Sequence, residues 1–283
     1  MTPLRQQFID QLKLNGRSNN TIRNYVAAVV GISHHFRISP LLLTKEQIDS
    51  YLLFLINERK LSASTINLCI NAMKIFFKLM APATTFMSGF AKIRKPRRLP
   101  VVLSREEVER LIGVISNLKQ KAAIMLLYSS GLRLHECVAI RPCHIESARM
   151  KVRVEQGKGR KDRYTLLSQR TLQTLRDYCR VYKPREWLFE GVAGKHYSTK
   201  SISHTISVAT KKAGINKKVT PHTLRHSFAT HLMEDGVALP VIKNLLGHTN
   251  LKTTMIYLHV TEPVVDKIKS PFDDDMSSEV KYA

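Results

Sequence analysis

Five short stretches of the 283-residue chain carry side chains able to do chemistry. In GLRLHE, Arg133 follows a helix-stopping glycine and Glu136 comes three residues later. On a helix the two share a face, so the carboxylate can hold the guanidinium in place. In HTLRH, His222 and Arg225 aim an imidazole and a guanidinium at one point. His222 and His226 also stand at a metal-ligand spacing. However, no glutamate follows His222 as in H-E-x-x-H, and Glu234 is the nearest acid after it, so no metal site is expected. LLGHTN sets His248 behind another helix-stopping glycine, and Tyr257 follows nine residues later in TTMIYLHV. GKGRKDR gathers Lys158, Arg160, Lys161 and Arg163. Taken singly, each stretch has a plain structural explanation. Arg133–Glu136 reads as a surface ion pair, His226 and His231 as packing or capping residues, Tyr257 as core and GKGRKDR as a flexible basic loop.

The elements that must position these groups are mostly helices. Residues 1–82 read as about four of them: PLRQQFIDQLKL, a run behind Ser18, IDSYLLFLINE behind the Thr44/Gln47 capping box, and ASTINLCINAMKIFFKLM behind Ser62. Pro82 ends the last. Residues 83–100 read as a linker, with two prolines and five basic residues within positions 92–98. Ser104 and Glu107 form a further capping box, helices are expected near 120–129 and from LRLHECVAI to Pro142, and then the period changes. MKVRVEQ and RYTLL alternate around a glycine-containing polar turn, which predicts a β-hairpin. Helices are expected again in SQRTLQTLRDYCRVY, near 199–213, in PHTLRHSFATHLMEDG capped by Thr220 with Pro221 at its first position, at 239–246 and at 252–259. No constellation of catalytic residue types occurs in the N-terminal part.

Lys+Arg number 45 against 22 Asp+Glu, a formal charge of +23. Apolar content of 43% is ordinary for a folded protein and speaks against wholesale disorder. The longest apolar run, residues 122–128, is far short of the roughly 20 residues that span a bilayer. The opening MTPLRQQFIDQ lacks a signal-peptide core. Four separated cysteines without a C-x-x-C pair argue against a disulfide framework and for a reducing, cytoplasmic setting. Charge of this size draws polyanions, nucleic acid first and anionic membrane second. Residues 1–100 carry 15 basic and 4 acidic side chains, so both parts of the chain are cationic. That suits a duplex gripped from two sides better than a single membrane-binding helix.

In order and spacing, G-L-R-x-x-E, a lysine in a hairpin turn, H-x-L-R-H, L-G-H and a late tyrosine resemble the tyrosine recombinase family, the phage-integrase and Xer-type site-specific recombinases. The resemblance covers the whole chain. It implies a mainly α fold with a small β-sheet: a helical, SAM-like core-binding domain at 1–82, a basic linker at 83–100, a mostly helical catalytic domain at 101–270 and an acidic tail at 271–283. It implies cleavage and rejoining of double-stranded DNA through a covalent 3′-phosphotyrosyl intermediate, without metal, ATP or other cofactor. Arg133 and Arg225 would bind the phosphate, Tyr257 would attack and His222 would assist its deprotonation. His248 would hydrogen-bond the phosphate, Lys158 would be the general acid with Lys161 as second choice, and Glu136 would support. Lys95, Arg97 and Arg98 are expected on the DNA backbone. The family further implies a homotetramer on synapsed sites, a tail docked into a neighbouring protomer and a cytoplasmic, nucleoid-associated location. A type IB-like topoisomerase and a non-catalytic helix-turn-helix regulator are the competing readings.

Overall fold

The computed structural model describes residues 2–83, 89–94, 99–155, 162–248, 250 and 254–255. The chain divides into two compact units, Met1–Arg97 and Arg98–Ala283. Both are built chiefly of α-helices, and a small sheet belongs to the second. No described helix is long and apolar enough to cross a membrane.

The first unit contains α1 (Pro3–Leu14), α2 (Asn19–Phe36), α3 (Lys45–Asn57) and α4 (Ala63–Met80). Their starts are those expected. The Ser18 and Ser62 side chains accept from the backbone N–H groups of Thr21 and Thr65, and Thr44 with Gln47 closes a capping box. Each helix turns an apolar stripe inward, and Phe8, Ile32, Ile48, Ile70, Phe76 and Phe77 form the centre of the core. Phe8 meets Phe76 edge-on at 5.1 Å between ring centroids. Within the expected linker, residues 89–94 belong with this unit. Phe90 is buried in this core, and the Asn67 amide both donates to Ile93 O and accepts from Ile93 N–H.

The second unit is organised around α6 (Leu118–Ser129). Residues Ala122 through Leu127 are all buried, so this helix has no solvent face over that stretch and must be surrounded. Around it stand α5 (Arg105–Gly113), α8 (Gln169–Tyr182), α9 (Thr199–Lys212) and α10 (Pro221–Glu234). The expected capping box at Ser104/Glu107 and the expected N-cap at Thr220 are formed, the latter as a box with Thr223. Among the described residues two short helices complete the set, α7 (Leu134–Val138) and α11 (Leu239–Leu246). α7 is shorter than LRLHECVAI suggested, because the chain leaves the helix at Ala139, ahead of Pro142.

The expected hairpin pairs β2 (Lys151–Val154) with β3 (Arg163–Leu166), antiparallel, with Val152 opposite Thr165 and Val154 opposite Arg163. A two-residue strand, β1 (Ile145–Glu146), adds to β2 and makes a three-stranded sheet in the order β1-β2-β3. The hairpin residues Lys158 and Lys161, the linker residues Lys95, Arg97 and Arg98, the expected helix at 252–259 apart from Thr254 and Met255, its Tyr257 included, and the tail lie outside the described residues.

Candidate functional site

Three chain reversals in the second unit bring distant side chains together. α6 ends at Gly131, whose φ of 57° is left-handed, and the space beside its Cα is taken by the Phe228 ring of α10. Only glycine meets both conditions, which accounts for the first residue of GLR. The turn delivers Arg133 to the N-cap of α7. α11 ends in the same way at Gly247, φ 61°, where a Cβ would stand 2.8 Å from the Arg163 Cδ. That accounts for the glycine of LGH and places His248 just beyond.

Glu136 lies at the centre of the arrangement, its side chain 9% exposed. Its Oε1 accepts from Arg133 Nη1 and Arg163 Nη1, each at 2.8 Å. Its Oε2 accepts from Arg163 Nη2 and from the Arg133 backbone N–H, also at 2.8 Å. Arg225 Nη1 stands 3.9 Å from the same oxygen. Burial alone would raise this carboxyl. The two-pronged hydrogen bond and charge of Arg163, joined by Arg133, outweigh it and hold the pKa at about 2.

Backbone carbonyls at helix ends supply the remaining partners. Arg225, 4% exposed, donates from Nη1 to Gly131 O and from Nη2 to Leu246 O, each at 2.6 Å. Arg133 Nη2 donates to Gly247 O at 3.2 Å, and Arg163 Nε to Leu245 O at 3.0 Å. The last carbonyls of a helix have no intrahelical donor and carry the negative end of its dipole. The C-terminus of α11 therefore serves as a natural seat for three guanidiniums.

Histidines border this group. His222, at the start of α10, is exposed, and its pKa is lowered by desolvation and by the nearby charges of Arg225 and Arg133. His248 is pushed down to about 4 by burial and then by Arg225, Arg133 and Arg163, and its Nδ1 lies 2.9 Å from Thr254 Oγ1. His226 is likewise pushed to about 4 by burial, His222 and Arg225. At neutral pH all three imidazoles are uncharged, beside three guanidiniums and one carboxylate. The result is a cationic cluster with neutral groups that can donate or accept a proton at its edge, the composition that receives an oxyanion. Among the described residues, no group of three or more His, Cys, Asp or Glu is placed to hold a metal ion.

Of the residues singled out in the sequence, Arg133, Glu136, His222, Arg225 and His248 are brought together; Lys158 and Tyr257 lie outside the described residues. The Arg133–Glu136 pair is not a surface ion pair, since the Glu136 side chain is only 9% exposed and is shared with Arg163. His231 is a packing residue, with Nδ1 2.8 Å from Tyr128 Oη and Nε2 3.0 Å from Leu103 O. Two features escape sequence reasoning. Arg163, grouped there with a flexible basic loop, is the first residue of β3, and its side chain is only 10% exposed. Its signal was the strand register, because Arg163 shares a face with the buried Thr165. His226, expected to serve packing, stands among the site histidines.

Residues 101–263 match the model of the phage integrase family, and residues 4–82 match that of the phage integrase N-terminal SAM-like domain. A putative integrase/recombinase of Sinorhizobium fredii, y4qK, is 40% identical over 275 residues, 96% of this chain and 89% of its own. The tyrosine recombinase XerA of Pyrococcus horikoshii is 34% identical, over 90% of this chain and 88% of its own. Among solved structures, a XerA recombinase superposes with a TM-score of 0.55 at 28% identity, covering 93% of this chain and 95% of that one. The XerH site-specific recombinase, bound to its palindromic difH substrate, shares the fold with a TM-score of 0.71 at 19% identity, covering 89% of this chain and 80% of that one. By sequence along nearly its whole length, and by fold, this chain belongs to the phage integrase family, the tyrosine recombinases.

Proposed function

We propose that this protein cuts and rejoins double-stranded DNA at defined sites by attack of Tyr257 on a backbone phosphodiester. The observation that carries the reading is the convergence of Arg133, Arg225, His222 and His248 in one cationic cluster from separate stretches of chain. The two guanidiniums face the non-bridging phosphate oxygens and offset the charge that grows on them as phosphorus becomes five-coordinate. His222, neutral at pH 7 because its pKa is lowered, takes the tyrosine proton as the Tyr257 oxygen bonds to phosphorus. The bond from phosphorus to the 5′-oxygen breaks, and Lys158 donates the proton that makes the leaving group a 5′-hydroxyl. The Thr254 hydroxyl lies 2.9 Å from His248 Nδ1; in this reading it is the donor, and the imidazole keeps its proton on Nε2, free to donate to the phosphate.

The 3′-phosphotyrosyl ester retains the energy of the broken bond. A 5′-hydroxyl from another strand reverses the steps and releases Tyr257. Neither ATP nor a metal ion enters this sequence. Four protomers on two synapsed sites supply the strand partners, and Lys95, Arg97 and Arg98 lie along the DNA backbone. The acidic tail engages a neighbouring protomer, and the protein works on cytoplasmic, nucleoid DNA.

A nicked suicide duplex carrying the cognate site tests the chemistry. Wild-type protein should accumulate a covalent adduct, in excess EDTA as well as without it. Tyr257→Phe should form none, while its Kd for the duplex stays within about two-fold, since affinity rests on many phosphate contacts. Adducts from Tyr257→Phe at the wild-type yield, or a strict need for added Mg²⁺, would overturn the mechanism.

A further inference from the structure

Arg163 has no part in the reaction described above, yet its side chain is fully engaged within the site. Nη1 and Nη2 form a two-pronged pair with the Glu136 carboxylate at 2.8 Å, and Nε donates to Leu245 O at 3.0 Å. All three nitrogens of the fork are thus bound to protein, and the side chain is 10% exposed, against 23% for Arg133. Glu136 Oε1, which receives Arg163 Nη1, also receives Arg133 Nη1. Leu245, which receives Arg163 Nε, is followed by Leu246 and Gly247, whose carbonyls receive Arg225 and Arg133. One guanidinium therefore joins β3, α7 and the end of α11. Its aliphatic stem lies against Gly247, where a Cβ would meet Arg163 Cδ at 2.8 Å. Arg163 also pairs across the sheet with Val154, at the mouth of the hairpin turn that carries Lys158.

We propose that Arg163 is a positioning residue for strand cleavage: through Glu136 and Leu245 it holds Arg133 and the α11 terminus in one register around the phosphate. The proposal rests on the phosphotyrosyl reading above. A planar guanidinium is required, because a lysine ammonium carries the same charge but cannot make three in-plane contacts to a carboxylate and a carbonyl. Arg163 donates its hydrogen bonds inward and acts on the DNA only through the groups it holds in place.

The test uses the full-length protein and single-turnover adduct formation over a range of duplex concentrations. Arg163→Lys should lower the maximal adduct rate about 100-fold, the scale expected when a catalytic group is misplaced by an ångström. The half-saturating DNA concentration should stay within about two-fold, because phosphate contacts dominate affinity. Glu136→Gln should produce a loss of the same kind, and the Arg163→Lys/Glu136→Gln double variant should be no slower than the worse single variant. Should Arg163→Lys fail to fold, as read by its melting curve, Arg163→Ala with added methylguanidinium replaces it; the guanidinium should restore the rate and methylammonium should not. A wild-type rate for Arg163→Lys, rescue by methylammonium, additive losses in the double variant, or a loss confined to DNA affinity would each overturn the proposal. Absence of adducts from the wild-type protein would instead bring down the phosphotyrosyl reading, and the proposal with it.

Discussion

Glu136 shows how one buried carboxylate can set the geometry of several cations. Its two oxygens accept four hydrogen bonds from Arg133 and Arg163, so its negative charge is fully matched and the arginines share a common reference point. Protonation of this network should appear in stability. His226 and His248 titrate near 4 in the folded protein against 6.5 for an unperturbed histidine. As pH falls from 6.5 towards 4, the unfolded chain takes up protons that these two residues refuse, so stability declines through that window. A second decline starts near 4.5, where an unpaired glutamate would protonate, and runs down to about 2, where Glu136 does. Urea midpoints measured between pH 7.5 and 4 should fall, and His248→Gln should make that fall shallower; an unaltered slope would contradict the assignment. Arg163 was not legible at this scale. By hydropathy RYTL presents Tyr164 and Leu166 to a core, yet these are 41% and 39% exposed, while Arg163 and Thr165 turn inward. Tyr164 lies outward beneath Arg149 at 5.3 Å. On that face the Arg163 guanidinium meets a carboxylate on α7, and the strand register could place Arg163 inward without revealing that partner.

Helix ends do much of the positioning in the second unit, and they separate into signals the chain states locally and signals it does not. Capping residues Ser104, Thr220 and the glycine stops at 131 and 247 are local, because a cap satisfies backbone groups within its own turn. The partner of each stop is not. Gly131 and Gly214 both have left-handed φ, 57° and 65°, but only at Gly131 would a side chain meet another residue, the Phe228 ring. Gly214→Ala should therefore cost about 1 kcal/mol, the conformational penalty alone. Gly131→Ala adds an overpacking cost of about 1–3 kcal/mol and displaces the carbonyl that receives Arg225. Urea denaturation of the two variants separates these contributions, and equal midpoints would mean that Phe228 yields at no cost. The hairpin was also legible, from two alternating runs around a polar turn. The third strand, β1, was not, since two residues are too few for a period to register.

For the molecule as a whole, the +23 charge is a statement about its partner. In the DNA-cutting reading, many of these cations should act only as phosphate contacts. Arg97 and Arg98 test this, because each lost contact should lower the slope of log affinity against log salt by about 0.9. The Arg97→Gln/Arg98→Gln double variant should lose about 1.8 from that slope and leave the maximal adduct rate unchanged; an unchanged slope would make the linker a passive connector. Composition, periodicity, caps and motif order by themselves determined a mainly helical chain, the starts of its helices, a cationic character and the family to which it belongs. These are properties of residue type and short-range spacing, which the chain carries without folding. Only the tertiary structure decided that Arg163 joins Arg133 and Arg225 on Glu136, that the last carbonyls of α11 seat all three, and that the histidines beside them are neutral. Those facts depend on burial and on contacts between residues as far apart as Gly131 and Arg225. Burial sets the cost of an unpaired charge, so it was packing that selected which of 45 basic side chains turn inward.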